Sequence, residues 1–154
     1  MISSKGFTLV ELMVVIGIIA FITAIGVPTF NNVIADNRLT STSNSLVGAL
    51  QIARSEAVTQ HTVIKVCATN ADNTACGDST DWSAGALIMR GTSLVKFIPA
   101  ANKGVTVTSS RNDIEYQGNG TTTAATLSVK DTREQTRSIK VNAIGQACSG
   151  STCS

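Results

Sequence analysis

The chain has 154 residues, a formal net charge of +2 and only 14% charged residues, against about 25% in ordinary soluble domains. The near-balanced charge argues against a non-specific polyanion binder, because such proteins carry a clear basic excess. His61 is the one histidine, so a catalytic Ser-His-Asp or Cys-His arrangement has to use that residue. The length predicts one domain with, at most, an appendage.

The N-terminal part of the chain holds a long apolar segment. Residues 12–30 carry no charge, and residues 7–28 as a helix would be about 33 Å long, enough to cross a bilayer core. A plain membrane anchor, a cleaved secretory signal peptide and a buried core helix compete as interpretations. Lys5 favours the signal peptide, whereas a core helix needs more surrounding elements than this chain supplies.

Glu11 separates these alternatives. It lies inside the start of the apolar segment, where a carboxylate costs about 2.5–3.5 kcal/mol and needs a partner. Cleavage after Gly6 would give Phe7 a free amine four residues from Glu11. That amine could pair with the Glu11 of a neighbouring copy in an assembly.

The run Gly6-Phe7-Thr8-Leu9-Val10-Glu11-Leu12 before an apolar helix resembles the class III signal of type IV pilins and type II secretion pseudopilins. The resemblance implies that prepilin peptidase cleaves between Gly6 and Phe7 and methylates the new N-terminus of Phe7. It also implies that Glu11 helps to dock the subunit into a growing filament. Residues 1–6 are then a cleaved leader peptide, and residues 7–30 form a transmembrane helix.

Residues 31–60 are predicted to form an amphipathic helix. Polar residues surround one apolar face at helical spacing, made of Leu39, Leu46, Leu50, Ala53 and Ala57. The polar run at 40–45 is a poor helix former, so its helicity depends on packing. Either one helix continues from the apolar segment, or two helices meet at a joint near Pro28 to Asn32.

Residues 61–154 are predicted to form a β-rich globular head. Turn residues separate short β-type runs, which gives an α+β fold: a long N-terminal helix packed on antiparallel sheets. Gly91-Thr92 and Gly118-Asn-Gly120 are expected turns. The predicted strands are Thr62–Ala68, Ala86–Arg90, Ser93–Ile98, Val105–Thr108, Ile114–Gln117, Ala124–Val129 and Ser138–Ile144.

The head also resembles a narrower group, the FimT, FimU and GspH minor pilins and minor pseudopilin. The residues that carry this resemblance, in order and spacing, are Val66-Cys67, Cys76, Trp82–Gly85, Tyr116–Gly120 and Arg137–Gly145. The resemblance implies the pilin fold and a role as a minor subunit.

Four cysteines lie in the part expected to be exported: Cys67, Cys76, Cys148 and Cys153. An even count predicts two disulfides with three possible connectivities. Proximity in sequence favours Cys67–Cys76 and Cys148–Cys153. The spacing does not match a zinc site, and we expect no metal or other cofactor.

No catalytic arrangement is evident, and we expect no enzyme. The close acid pairs of the head, Asp78/Asp81 and Asp113/Glu115, have no His or Lys placed in sequence for acid–base chemistry. Both pairs are therefore interpreted as solvated turn residues. Trp82 is expected to anchor the core or the disulfide loop.

DNA binding is a third possible function. Some FimT-like pilins bind DNA through a Gly-Arg-x-Arg motif, but the matching residues here are Gly145-Gln146-Ala147-Cys148. Both arginines are absent, and acidic residues such as Asp131 interrupt the nearby basic ones. We therefore do not expect nucleic acid as a partner. The remaining candidates for phosphate contacts are Arg133, Arg137 and Lys140.

These observations predict a minor pilin that helps to prime or tip a type IV pilus through helix packing and recognition between heads. The expected partners are other minor pilins, the major pilin, prepilin peptidase and the inner-membrane assembly platform. The expected location is the bacterial inner membrane with the head in the periplasm, followed by the filament. The alternative within the same family is a minor pseudopilin of type II secretion.

Overall fold

The computed structural model describes residues 6–150, without the side chains of residues 25–28. The chain divides into two units, Met1–Asp36 and Asn37–Ser154, and we call the second the head unit. Most of the predicted leader, residues 1–5, and Cys153 lie outside the described residues.

One α-helix, α1, runs from Leu9 to Gln60. Its backbone stays helical through Gly26 and Pro28, so the alternative with two helices and a joint near Pro28 to Asn32 is wrong. Within the first unit the apolar side chains of residues 9–22 are exposed. By length and composition α1 can cross a membrane.

Within the head unit, one face of α1 is buried, and its members are those that the apolar spacing predicted. Ala53 and Ala57 are fully buried, and Leu50 is 1% exposed. Leu39 and Leu46 are nearly as deeply buried. This face joins the hydrophobic core of the sheets, which confirms the predicted packing of the helix.

The polar run at 40–45 is helical because its side chains find partners. The Ser43 hydroxyl donates to the Leu39 carbonyl at 2.8 Å, which satisfies a buried polar group inside the helix. The Asn102 side-chain amide donates to Thr42 Oγ1 at 3.1 Å and to the Arg38 carbonyl at 3.4 Å. Tertiary contacts thus override the weak propensity of this run.

Eight strands follow α1 in the described residues and form two antiparallel sheets of four strands. The strand bounds are β1 Ile64–Ala68, β2 Ala86–Arg90, β3 Ser93–Ile98, β4 Val105–Ser109, β5 Asp113–Tyr116, β6 Ala125–Asp131, β7 Thr136–Val141 and β8 Ala147–Ser149. The first sheet has the order β3-β2-β1-β5 and the second β4-β6-β7-β8. The predicted α+β class is confirmed.

The core lies where the inward faces of both sheets meet the apolar face of α1. Strands β4 and β6 alternate buried residues with exposed or half-buried ones, as expected for sheets with one solvated face. Trp82 is 2% exposed and belongs to this core. Its predicted role as an anchor of the core is confirmed.

The end of α1 sets the start of β1. His61 adopts a positive φ of 50°, and the Thr62 N–H donates to the Ala57 carbonyl at 3.2 Å. This is the helix-ending arrangement usually built on glycine. Gly118 approaches the same turn so closely that a Cβ on it would lie 2.8 Å from the His61 carbonyl carbon.

Candidate functional site

The N-terminal segment places the predicted processing residues just ahead of a capped helix. Gly6 and Phe7 precede α1 and are exposed. The Thr8 hydroxyl accepts from the Glu11 backbone N–H at 3.2 Å, and the Thr8 carbonyl accepts from the Leu12 N–H at 3.1 Å. Thr8 is therefore the N-cap of α1.

Glu11 lies in the first turn of α1 and is exposed. The helix dipole favours a carboxylate at this end, and Thr8-x-x-Glu11 has the spacing of a capping box. Sequence reasoning missed this role of Thr8, although the spacing was readable. The helix terminus thus supplies part of the compensation for the charge of Glu11.

The structure contains the predicted disulfide between Cys67 and Cys76. Cys67 is 1% exposed and forms a small buried cluster with Leu87 and Met89 on the outer face of the first sheet. Cys148 is also disulfide-bonded. Its expected partner, Cys153, lies outside the described residues, so that pairing stays a prediction.

The acid pair Asp113/Glu115 does not consist of turn residues, and the interpretation from sequence is wrong here. Both lie in β5, where Lys65 of β1 lies directly opposite Glu115 and diagonal to Asp113. Lys65 Nζ is 2.9 Å from Glu115 Oε1 and 3.0 Å from Asp113 Oδ2. Hydrogen bonds to Glu115 and then to Asp113 raise the pKa of Lys65.

The other acid pair does lie in a loop. The Asp78 carboxylate accepts from the Asn112 side-chain amide. Asp81 accepts from the Ser83 N–H at 2.9 Å, and the hydrogen bonds from Ser83 lower the pKa of Asp81. In the part of the chain that the structure describes, no group of three or more potential metal ligands comes together.

The basic residues considered for DNA lie on and after β6, and one of them is held by an internal carboxylate. Arg133 donates through Nε at 2.9 Å and Nη2 at 2.6 Å to Asp131 Oδ2. Backbone N–H groups of Arg133 and Gln135 reach Asp131 Oδ1 at 2.8 and 3.0 Å. Burial acts to raise the pKa of Asp131, but these hydrogen bonds outweigh it and the pKa is lowered.

Lys130 forms an ion pair with Glu134. Arg137 and Lys140 lie on β7 and are exposed. The Arg133 guanidinium is thus already engaged by an internal carboxylate, which reduces what it could offer to a phosphate.

An open groove of about 710 Å³ lies between α1 and the residues that lead into β8. Arg54 contributes to it from α1, and its Nε donates to the Gly120 carbonyl at 3.2 Å. The groove is lined by Gln51, Arg54, Ser55, Val58, Thr59, Gly145, Gln146, Ala147 and Cys148.

Two glycines allow the turns beside this groove to close on Arg54. Gly120 and Gly145 have positive φ angles of 82° and 79°, which glycine adopts without steric cost. A Cβ on Gly145 would collide with the Gly120 carbonyl oxygen, and one on Gly120 would lie 2.9 Å from Val58 Cγ2. Sequence reasoning missed Arg54 because its contacts come from residues far along the chain.

Comparison with known proteins identifies both parts of the chain. The family model described as type II transport protein GspH matches residues 42–145. The model of the prokaryotic N-terminal methylation motif matches residues 1–27. Prepilin peptidase-dependent protein D of Escherichia coli K12 is 51% identical over 43 residues, which is 28% of this chain and 30% of that protein. The chain thus covers under a third of the length of that relative.

Solved structures share the fold. The type IV minor pilin FimU of Pseudomonas aeruginosa superimposes with a TM-score of 0.63 at 22% identity, over 75% of this chain and 90% of that one. The minor pseudopilin EpsH of the Vibrio cholerae type 2 secretion system gives a TM-score of 0.56 at 10% identity, over 76% and 99%. The predicted pilin fold is confirmed.

Proposed function

This chain belongs to the family of type II transport protein GspH, and on that premise we propose that it is a minor pilin that helps to prime a type IV pilus. The family, the methylation motif and the fold already make it a pilin-like protein, either a minor pilin or a minor pseudopilin. The likeness to FimU, a type IV minor pilin, supports the pilus.

The observation that carries the proposed processing and membrane anchoring, which both kinds of filament subunit share, is the arrangement at the start of α1. An exposed Gly6–Phe7 bond precedes a helix capped by Thr8. A single carboxylate, Glu11, then stands ahead of the uncharged residues 12–30. This arrangement offers a peptidase an accessible bond and leaves one acidic group for recognition inside an apolar phase.

In the proposed maturation, prepilin peptidase cleaves after Gly6 and the new N-terminus of Phe7 is methylated. The residues after Phe7 then anchor the subunit in the inner membrane, with the head in the periplasm. The Glu11 carboxylate pairs with the terminal amine of a neighbouring subunit, since a carboxylate in an apolar phase is tolerable only with a partner. The proposed partners are other minor pilins, the major pilin, prepilin peptidase and the assembly platform.

The second candidate is a minor pseudopilin of type II secretion. The description of the matching family and the shared fold with EpsH favour it. Both candidates use the same processing and the same helix, and they differ in the filament that receives the subunit.

The test removes the gene from its own organism and measures two outputs in parallel: surface pili by electron microscopy, and secreted enzymes in the medium. Loss of pili with normal secretion is the expected result, and it should be reversed by the wild-type gene but not by Glu11→Ala. Mass spectrometry of the subunit should show methylated Phe7 at the N-terminus in both the wild type and Glu11→Ala.

Normal piliation with defective secretion would overturn the pilus in favour of the pseudopilin. A mature protein that begins after Ala20 or Ala24 would contradict the processing. Normal co-assembly of Glu11→Ala would show that the pairing of Glu11 is wrong.

A further inference from the structure

Arg54 is a cation without an anionic partner in the described residues. Its only hydrogen bond there runs from Nε to the neutral carbonyl of Gly120. The side chain is half-buried, so water screens its charge less than it screens an exposed side chain. This guanidinium therefore keeps donors and a full positive charge for a ligand in the groove.

Two acidic groups among the described residues of the head unit pair with other cations. Glu56, two residues along α1, faces Arg90 at 4.0 Å, and Glu115 on β5 pairs with Lys65. Burial raises the pKa of the Tyr116 hydroxyl to about 12, although the charge of Arg54 acts to lower it. Tyr116 is therefore neutral at physiological pH and does not balance Arg54.

The groove has the composition of a site for an acidic protein segment. Gln51, Ser55 and Gln146 offer hydrogen bonds to a peptide, and Val58 and Ala147 offer apolar contact. Among the described residues of the lining, Arg54 is the one that carries a charge. Duplex DNA gains its affinity from many phosphate contacts, whereas a single guanidinium can bind a single carboxylate through a bidentate pair of hydrogen bonds.

We propose that this groove binds a segment of a neighbouring pilin-like subunit that presents an aspartate or glutamate to Arg54. The inference rests on the proposed function, since it names the surface by which one head recognises the next. Cys148 also lines the groove.

The experiment uses the full-length chain in its own cells, with a photocrosslinking amino acid in place of Gln146, an exposed residue of the lining. The expected product joins the photocrosslinking amino acid at position 146 to a segment of a pilin-like subunit. That segment should contain an acidic residue within a few positions of the crosslinked one. Replacing that acidic residue with its amide should lower the yield about threefold, the effect of losing a partly exposed ion pair.

A second variant tests Arg54 without removing its contact to Gly120. Gln51→Glu puts a carboxylate three residues before Arg54, where it can pair with the guanidinium along the helix and compete with the partner. It should lower the crosslink yield about threefold. Asn44→Glu makes the same charge change on an exposed part of α1 outside the groove, and it should leave the yield unchanged.

The outcomes separate this inference from the proposed function. If pili assemble with methylated Phe7 but Gln146 gives no crosslink to another subunit, the groove proposal is overturned and the proposed function stands. If Gln146 crosslinks to the acidic segment of a secretion pseudopilin, the groove proposal stands and the pilus is overturned. A crosslink to residues 151–154, to nucleic acid or to a segment without an acid overturns the groove proposal, as does an unchanged yield in Gln51→Glu.

Discussion

Cys76→Ala isolates the contribution of the Cys67–Cys76 disulfide to the stability of the head unit. Cys76 is exposed, whereas Cys67 is 1% exposed, so this substitution removes the cross-link and no buried side chain. The loop also has its own hydrogen bonds, from the Asn70 N–H to the Ala75 carbonyl and from the Gly77 N–H to the Ala68 carbonyl. Native packing should therefore survive in the variant.

The expected loss follows from the length of the loop. A cross-link over a sequence separation of nine residues removes loop-closure entropy from the unfolded chain worth about 2.6 kcal/mol at 25 °C. For a domain of this size, that loss lowers the melting temperature by about 10 °C.

The assay is urea unfolding of the full chain in detergent, followed through the fluorescence of Trp82, the single tryptophan, which is 2% exposed in the fold. Cys76→Ala should lose the free energy of the cross-link alone, whereas Cys67→Ala and the double variant should lose that free energy plus a smaller packing term for the buried Cys67 sulfur. A stable Cys76→Ala beside a destabilised Cys67→Ala would refute the entropic reasoning, and the stabilisation would then come from the packing of Cys67.

Three other predictions concern a buried carboxylate, a glycine beside the groove and DNA binding. Asp131→Asn should lower the free energy of unfolding of the head unit at neutral pH, as measured by urea unfolding. The difference in free energy between variant and wild type should shrink as the pH falls from about 4 through the lowered pKa of Asp131. Gly145→Ala should lower the free energy of unfolding of the head unit by about 2 kcal/mol or more, because Gly145 has a positive φ and a Cβ there would collide with the Gly120 carbonyl oxygen. As a control, Gly48 lies in α1 and a Cβ there would meet no atom within 4 Å. Gly48→Ala should therefore raise the free energy of unfolding by up to about 1 kcal/mol in the same assay. In gel shifts at physiological salt the solubilised chain should not bind duplex DNA, and salt-sensitive binding lost in Arg137→Ala would contradict this.

The sequence was most informative where apolar residues repeat at a regular spacing and one face of the element is buried. The apolar face of α1 is buried at each predicted position because helical spacing alone selects those residues. The bounds of β2 and β3 agree with the prediction, since the turn at Gly91-Thr92 delimits both strands. The first strand begins two residues later than predicted, because His61 takes a left-handed conformation to end the helix.

The sequence did not predict which strands pair with each other or in which register. Strand β8 has only three residues, and its register with β7, such as Lys140 opposite Cys148, is what makes it a strand. Glu115 lay inside a predicted strand, so its assignment to a turn was avoidable. That Lys65 would face it depends on the register of β1 with β5, which no local signal specifies.

The placement of β1 has a consequence for how the head unit folds. Val66 of β1 lies opposite Ile88 of β2 on one side and Ile114 of β5 on the other. The first pairing joins strands that are near in sequence. The second joins β1 to a strand that follows β3 and β4 in the chain, and such non-local pairing slows folding. Until β5 arrives, the inner strand of the first sheet has one unpaired edge, which is a template for association with another chain. Because β5 is the last strand of this sheet along the chain, residues 113–116 complete the protection of the sheet from aggregation.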